Sequence, residues 1–277
     1  LALQVHTAYE QLRKGYAEDF ADGYDAALRE EIVRALSGLS QVEADNAITL
    51  GFLEGGGFTR AMVRSIQRLK REAIRRVDCL EAVEDEPVGA LGGLDVFKAF
   101  VRERRPLLSE AAAAFGIKAP KGVVAVGVPG AGKSLGARVV GSELGLPVLR
   151  FNFAAIFGQW LGESEAKFRA ATRIIEAVAP VVLWIDELGN AMSGLGGGGH
   201  SDGGGQTAER VFGEFLTWLQ DRKAPVFAYF AANEIAHLPA QLTRMGRVDE
   251  VFFFDFPTAP ERAEIFAIHL RKSGRDA

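Results

Sequence analysis

One cysteine, Cys79, stands alone in 277 residues. That excludes an intrachain disulfide framework and fits a reducing compartment. Histidine is almost as scarce. The four present are scattered and, with Cys79, give no metal-ligand spacing, so His200 is set aside as a ligand. No apolar run approaches the roughly 18 residues that a membrane-spanning helix needs, and no signal-peptide pattern is visible. A strong charge of either sign is missing as well: 32 Lys and Arg stand against 36 Asp and Glu, which signals neither a nucleic-acid nor a membrane surface. The sequence holds no internal repeat. It begins at Leu1 rather than Met, and both ends are expected to be incomplete.

What the chain has is glycine in one telling place. Gly127 to Ser134 read GVPGAGKS, the G-x-x-x-x-G-K-[ST] pattern that cradles phosphate. The apolar run Val123 to Val126 precedes it as a strand, and a helix follows from about Lys133 to Leu144. Backbone N–H groups of Pro129-Gly130-Ala131-Gly132-Lys133-Ser134-Leu135, apart from the proline, face phosphate oxygens at a helix N-terminus. Lys133 is expected to reach the β- and γ-phosphates, and the Ser134 hydroxyl to bind magnesium. Downstream, the run VVLWIDE delivers Asp186 and Glu187 to the end of a buried strand. Asp186 is the second magnesium residue, and Glu187 the base that orients or deprotonates the attacking water. These segments predict a site for ATP with Mg2+.

Two further signals suit hydrolysis. Asn233 follows the apolar strand Val226 to Ala231, where it either bonds the γ-phosphate or lytic water or closes a turn. Arg244 and Arg247, three apart in LTRMGRVD, are suited to stabilise charge on a transferring phosphoryl group, or else are surface arginines at a helix end.

Along the chain, residues 1 to about 80 read as helices. Leu28, Ile32 and Leu36 fall on one face, Ser40 with Glu43 forms a capping-box pattern, and Thr59 is the N-cap of a helix to about Arg76. That last helix carries Arg60, Arg64, Arg68, Lys70, Arg71, Arg75 and Arg76 opposite an apolar stripe of Met62, Ile66, Leu69 and Ala73. The absence of interleaved aromatics favours a solvated or interdomain face over a nucleic-acid contact. Residues 84–87 read as a linker. Beyond it, strands at 148–151, 181–185, 226–231 and 251–254 alternate with helices at 163–177 and 206–220. This is the pattern of a doubly wound parallel α/β sheet. A glycine tract, 194–205, is expected to be mobile.

In that order, these motifs resemble the AAA family of ATPases, within the wider AAA+ class of P-loop NTPases. Leu91-Gly92-Gly93-Leu94 is similar to the family's segment that wraps adenine, so Leu91 and Gly92 join the nucleotide-binding set. LTRMGRVD resembles the segment whose arginines act in trans, which makes Arg244 and Arg247 finger candidates and Asn233 the first sensor. Trp160-Leu161-Gly162 matches the aromatic pore loop that grips a polypeptide in a ring; read without the family it is an ordinary packed Trp. Within the family, FLTWL (215–219), GGLDVFKAFVRERR and the stretch 36–76 are similar to poorly characterised AAA proteins of cyanobacteria and algal plastid genomes. The resemblance implies a homo-oligomeric ring, most often a hexamer, that remodels an unknown protein client. It also implies a cytoplasmic location, or the plastid stroma where the plastid-type likeness holds.

The chain departs from the family pattern at several places. Ala90 replaces an Asp, Leu188-Gly189-Asn190 replaces a further acid, and Met245 replaces a Pro. The expected domains are a helical region at 1–85, in the image of the lid of a degenerate upstream module, an AAA+ core at 86–256, and the start of an incomplete C-terminal helical lid at 257–277. Two rivals follow from the same residues: a nucleotide-regulated switch or scaffold with slow turnover, and a nucleic-acid motor.

Overall fold

The computed structural model describes residues 2–16, 21–36, 41–74, 78–156, 163–186, 204–234, 241–242 and 246–275. The chain divides into two compact units, Leu1–Arg76 with Glu176–Ala179, and Val77–Ile175 with Pro180–Ala277. None of the described helices is long and apolar enough to cross a membrane.

Among the described residues the first unit has four helices within 1–76, α1 (Ala2–Tyr16), α2 (Ala26–Leu36), α3 (Gln41–Gly55) and α4 (Arg60–Ile74). The 3.6-residue period buries Leu28, Ile32 and Leu36 against Val5, Ile48, Phe52, Met62 and Ile66. Asp25 Oδ1 accepts from Leu28 N–H at 2.7 Å and caps α2. Thr59 directly precedes α4, and its hydroxyl donates to the Gly55 carbonyl at 2.9 Å. On the basic face of α4, Arg68 meets Glu54 at 2.5 Å and Arg60 meets Glu31 at 4.0 Å. These are exposed pairs of small energetic weight. The unit is not wholly helical as expected: β1 (Ala21–Asp22) and β2 (Gly57–Phe58) pair in parallel. Two residues are too short to carry a period-2 signature, which is why the sequence pattern hides them. Ser40, the expected cap, lies outside the described residues.

The second unit is built on a six-stranded sheet. Its strands are β3 (Leu80–Val83), β4 (Gly122–Gly127), β5 (Val148–Phe151), β6 (Val181–Asp186), β7 (Val226–Ala232) and β8 (Glu250–Phe254), ordered β3-β5-β6-β7-β4-β8. Five strands are parallel, at the expected positions. β3 is an antiparallel edge strand beside β5, so the sheet is mixed, and Leu80–Val83 belongs to it although it precedes residue 85. Within β3 only Leu80 is buried, and acids follow the strand directly. A half-exposed edge strand of that length has no clear apolar pattern.

Among the described residues its α-helices are α5 (Asp95–Arg104), α6 (Glu110–Ala114), α7 (Lys133–Leu144), α8 (Glu163–Val178), whose last three residues are grouped with the first unit, α9 (Gly204–Asp221) and α10 (Ala259–Lys272). β4 and β7 are buried along their whole length, as strands covered on both faces must be. On one face Ala125, Trp184, Phe227 and Tyr229 pack with Phe97 of α5 and Ala137 and Val140 of α7. On the other, Phe230 stands 6.2 Å from Phe215 of α9, which also stacks on Phe151 at 6.0 Å. The C-terminal ends of β4, β6 and β7 therefore share one edge, where open α/β sheets bind ligands. Most of the glycine tract lies outside the described residues.

Candidate nucleotide site

The glycine loop joins β4 to α7. Gly132, at φ +90°, is the N-cap residue of α7, in a left-handed conformation that an L side chain resists. Lys133 and Ser134 thus occupy the first helical turn, where backbone N–H groups have no intrahelical partner. Lys133 is buried, and its Nζ donates to the carbonyls of Gly127 at 2.7 Å and Val128 at 2.8 Å. Burial lowers the pKa of this ammonium from its usual 10.5, while the charge of Asp186 acts to raise it. Ser134 and Pro129 are exposed, and Ala131 and Leu135 are half-buried.

Asp186 is the last residue of β6, opposite Ala231 of β7, with 22% of its side chain exposed. Arg150 of β5 approaches its Oδ2 at 3.9 Å and lies over the Trp184 ring at 5.1 Å. Asn233 follows β7 directly and is exposed. Because β7 runs between β4 and β6, Asn233 emerges between the glycine loop and Asp186. Three stretches distant in sequence, Lys133-Ser134, Asp186 and Asn233, therefore come to one sheet edge.

On the other side of the loop, Leu91 is buried and its Cδ1 would stand 3.4 Å from a Cβ at Gly132. Gly92 lies against α10, where a Cβ would approach Ile265 Cγ1 to 2.7 Å. Gly93 N–H donates to Glu264 at 2.8 Å and Leu94 N–H to Glu261 at 3.4 Å. The segment 91–94 is thus held between the phosphate loop and the C-terminal helix.

Arg247 is not part of this group. It precedes β8, whose start lies beside the start of β4, with Asp249 N–H donating to Gly122 at 2.7 Å. From Gly122 to Gly127 the strand spans roughly 16 Å at about 3.3 Å per residue. Arg247 Nη1 donates to the Gln241 carbonyl, and its Nε is buried without a partner among the described residues. Glu187, Trp160, Leu161, Gly162 and Arg244 lie outside the described residues.

Sequence reasoning missed three groups. Tyr229, fully buried in β7, donates its hydroxyl to the Lys133 carbonyl at 2.7 Å; a lone phenol in the run VFAYFAA was the available signal. Arg222, also buried, donates to the carbonyls of Leu219, Val226 and Lys121, with 2.6 Å to the last. Burial pulls its pKa down to about 10. Glu261 and Glu264 had no local signal, because what they bind lies far away in sequence.

This strand order, with a glycine loop and an acidic strand end at one edge, defines a nucleotide-binding α/β domain. Residues 123–256 match the model of the ATPase family associated with various cellular activities, AAA, and residues 9–77 match that of the SpoVK-like AAA ATPase, second domain. The chain belongs to the AAA family. It is 40% identical over 249 residues to the uncharacterised AAA domain-containing protein ycf46 of Pyropia yezoensis, covering 90% of this chain and 50% of that protein. The same-named protein of Guillardia theta is 40% identical over 204 residues, 73% of this chain and 40% of its own length. A 26S proteasome regulatory subunit 4 homolog of Encephalitozoon cuniculi is 31% identical over 204 residues, 71% of this chain and 47% of that protein. The chain spans about half the length, or less, of these curated relatives.

Proposed function

We propose that this protein is an ATPase and works as one subunit of a homo-oligomeric ring, six-membered by its family resemblance. In the ring each nucleotide site is finished by a neighbour's arginine, and hydrolysis drives the remodelling or unfolding of a protein client. The carrying observation is that Arg247 stands a full strand length from its own chain's phosphate loop. From there an arginine can serve a phosphate only on another copy.

Within one subunit, Leu91 and Gly92 flank the adenine, and the loop 129–135 with Lys133 binds the β- and γ-phosphates. Glu187 takes the proton of a water that attacks the γ-phosphorus as the bond to the β–γ bridging oxygen breaks, leaving ADP and phosphate. Asn233 orients that water. The donor set suits Mg2+: one exposed hydroxyl, Ser134, and one half-buried carboxylate, Asp186, at the same edge, with no cluster of three acidic, His or Cys ligands among the described residues. Magnesium typically takes one or two carboxylates plus substrate phosphates rather than a full protein cage. Bound there, it would neutralise charge on the phosphates. Trp160, Leu161 and Gly162 form the client-gripping pore loop. The match of residues 9–77 to a domain of another AAA ATPase supports reading the region 1–85 as derived from an upstream module. The balanced charge of the chain argues against a nucleic-acid track. The reading suits the cytoplasm or a plastid stroma.

Mixing two inactive variants tests this. Lys133→Ala keeps its arginines and Arg247→Ala keeps its phosphate loop, so each is expected to be inactive alone. A mixture builds some intact sites, and ATPase activity should return as total protein concentration rises. Full activity of both Arg247→Ala and Arg244→Ala alone, or no recovery on mixing Lys133→Ala with either of them, would sink the shared site and favour a slow nucleotide switch.

A further inference from the structure

The interior of α7 contains a glycine, Gly136, that no turn requires. Glycine weakens a helix interior. A Cβ at Gly136 would stand 2.5 Å from the Tyr229 hydroxyl oxygen, yet 3.4 Å from Tyr229 Cζ and 3.4 Å from Phe254 Cε2. The ring leaves room for a methyl group, and the hydroxyl alone does not. That hydroxyl passes through the slot at Gly136 to donate to the Lys133 carbonyl at 2.7 Å. The ring is fully buried and meets Phe97 edge-on at 6.2 Å. Burial, with a smaller effect of the Asp186 charge, pushes the phenol well above its usual 10, so it stays a donor at any working pH. The strand that carries Tyr229 ends one residue before Asn233.

We propose that Tyr229 is a positioning residue for the phosphate loop. Its hydrogen bond to the Lys133 carbonyl fixes the first turn of α7, and with it the aim of the Lys133 side chain and of the backbone N–H groups. Gly136 is the space this bond needs. The bond also ties the strand leading to Asn233 to the loop, so two parts of the site share one frame. The inference rests on reading Gly127 to Ser134 as the phosphate loop.

The test uses the full chain with a fluorescent ATP analogue and thermal melting. In Gly136→Ala/Tyr229→Phe the added methyl takes the volume of the lost hydroxyl, so packing is preserved and the hydrogen bond is not. This variant should melt like the parent and bind the analogue about tenfold more weakly, the typical weight of one such bond. Tyr229→Phe alone should bind as weakly, and Gly136→Ala alone, where methyl and hydroxyl compete, more weakly still. Parental affinity in the double variant or in Tyr229→Phe overturns the proposal, because the hydroxyl is then only a space filler. Lys133→Ala separates the underlying reading. If it binds normally, the phosphate-loop assignment itself fails. If it loses binding while both Tyr229 variants keep it, only the present inference fails.

Discussion

Asp249 holds the Gly122 peptide from both sides: its Oδ2 accepts the Gly122 N–H at 3.0 Å, and its own N–H donates to the Gly122 carbonyl at 2.7 Å. The same Oδ2 accepts the Lys121 N–H at 2.8 Å, while Arg222 donates to the Lys121 carbonyl at 2.6 Å. Asp249, two residues after Arg247 and directly before β8, thereby ties the start of that strand to the start of β4 and to the end of α9. Asp249→Ala removes two charge-assisted bonds at an exposed position and should cost about 1–2 kcal/mol in urea unfolding. Arg222→Leu strips several buried carbonyls of their donor and should cost about 3 kcal/mol or more. Arg222→Lys should not rescue it, since an ammonium lacks the planar fork. Unchanged unfolding midpoints in these variants would show that the latch carries no load.

Lys133 gives nucleotide binding a pH signature. In the free protein, burial holds its ammonium below the usual 10.5. Phosphate oxygens favour the charged form, so binding raises that pKa. Between the two values the complex holds more protons than the free protein, and affinity falls as pH rises. Calorimetry of ATP binding in two buffers of different ionisation enthalpy should show proton uptake that grows from neutral pH toward pH 10. Proton release, or no exchange at all, would mean that another group meets the phosphates.

Much of this architecture is legible in the amino-acid pattern itself. Strands covered on both faces must be continuously apolar, so Val123 to Val126 and Val181 to Ile185 declare themselves. The phosphate loop declares itself because Lys133 and Ser134 need a fixed spacing from Gly127. What stays hidden depends on chain segments that meet only after folding. Tyr229 lies 96 residues from Lys133, and Arg222 lies 101 from Lys121. Their meaning comes from the strand order that sets β7 beside β4, which local pattern does not encode. Leu80–Val83 escapes notice for a different reason: an edge strand exposes half its surface and looks like loop.

In the proposed ring, Trp160 would separate fuel from load. It lies apart from the phosphate-binding motifs in sequence, so Trp160→Ala should keep basal ATP hydrolysis within about twofold. A pore-loop indole would offer a large, unselective grip. Stimulation of ATPase activity by an unfolded polypeptide should therefore vanish in the variant. Equal stimulation in variant and parent would remove Trp160 from the client path.

Glu261 links the C-terminal helix to the segment 91–94 through its charge. Its Oε2 accepts from both the hydroxyl and the N–H of Thr258 at 2.7 Å, closing a capping box on α10, and its Oε1 accepts from Leu94 N–H at 3.4 Å. The Thr258 hydroxyl first, then the Thr258 and Leu94 backbone N–H groups, hold its carboxyl below the ordinary 4.5. A carboxyl whose folded pKa is depressed contributes stability that is present above the unfolded value and lost as pH falls through the folded one. Glu261→Gln keeps an acceptor but no charge. The stability gap between parent and variant should stay constant from pH 7 down to about 5 and then close as the pH drops below 4.5, read by urea unfolding at each pH. A gap that persists unchanged into strong acid would mean that the side chain acts through shape alone, and that α10 is held on Gly92 and Gly93 by packing against Ile265.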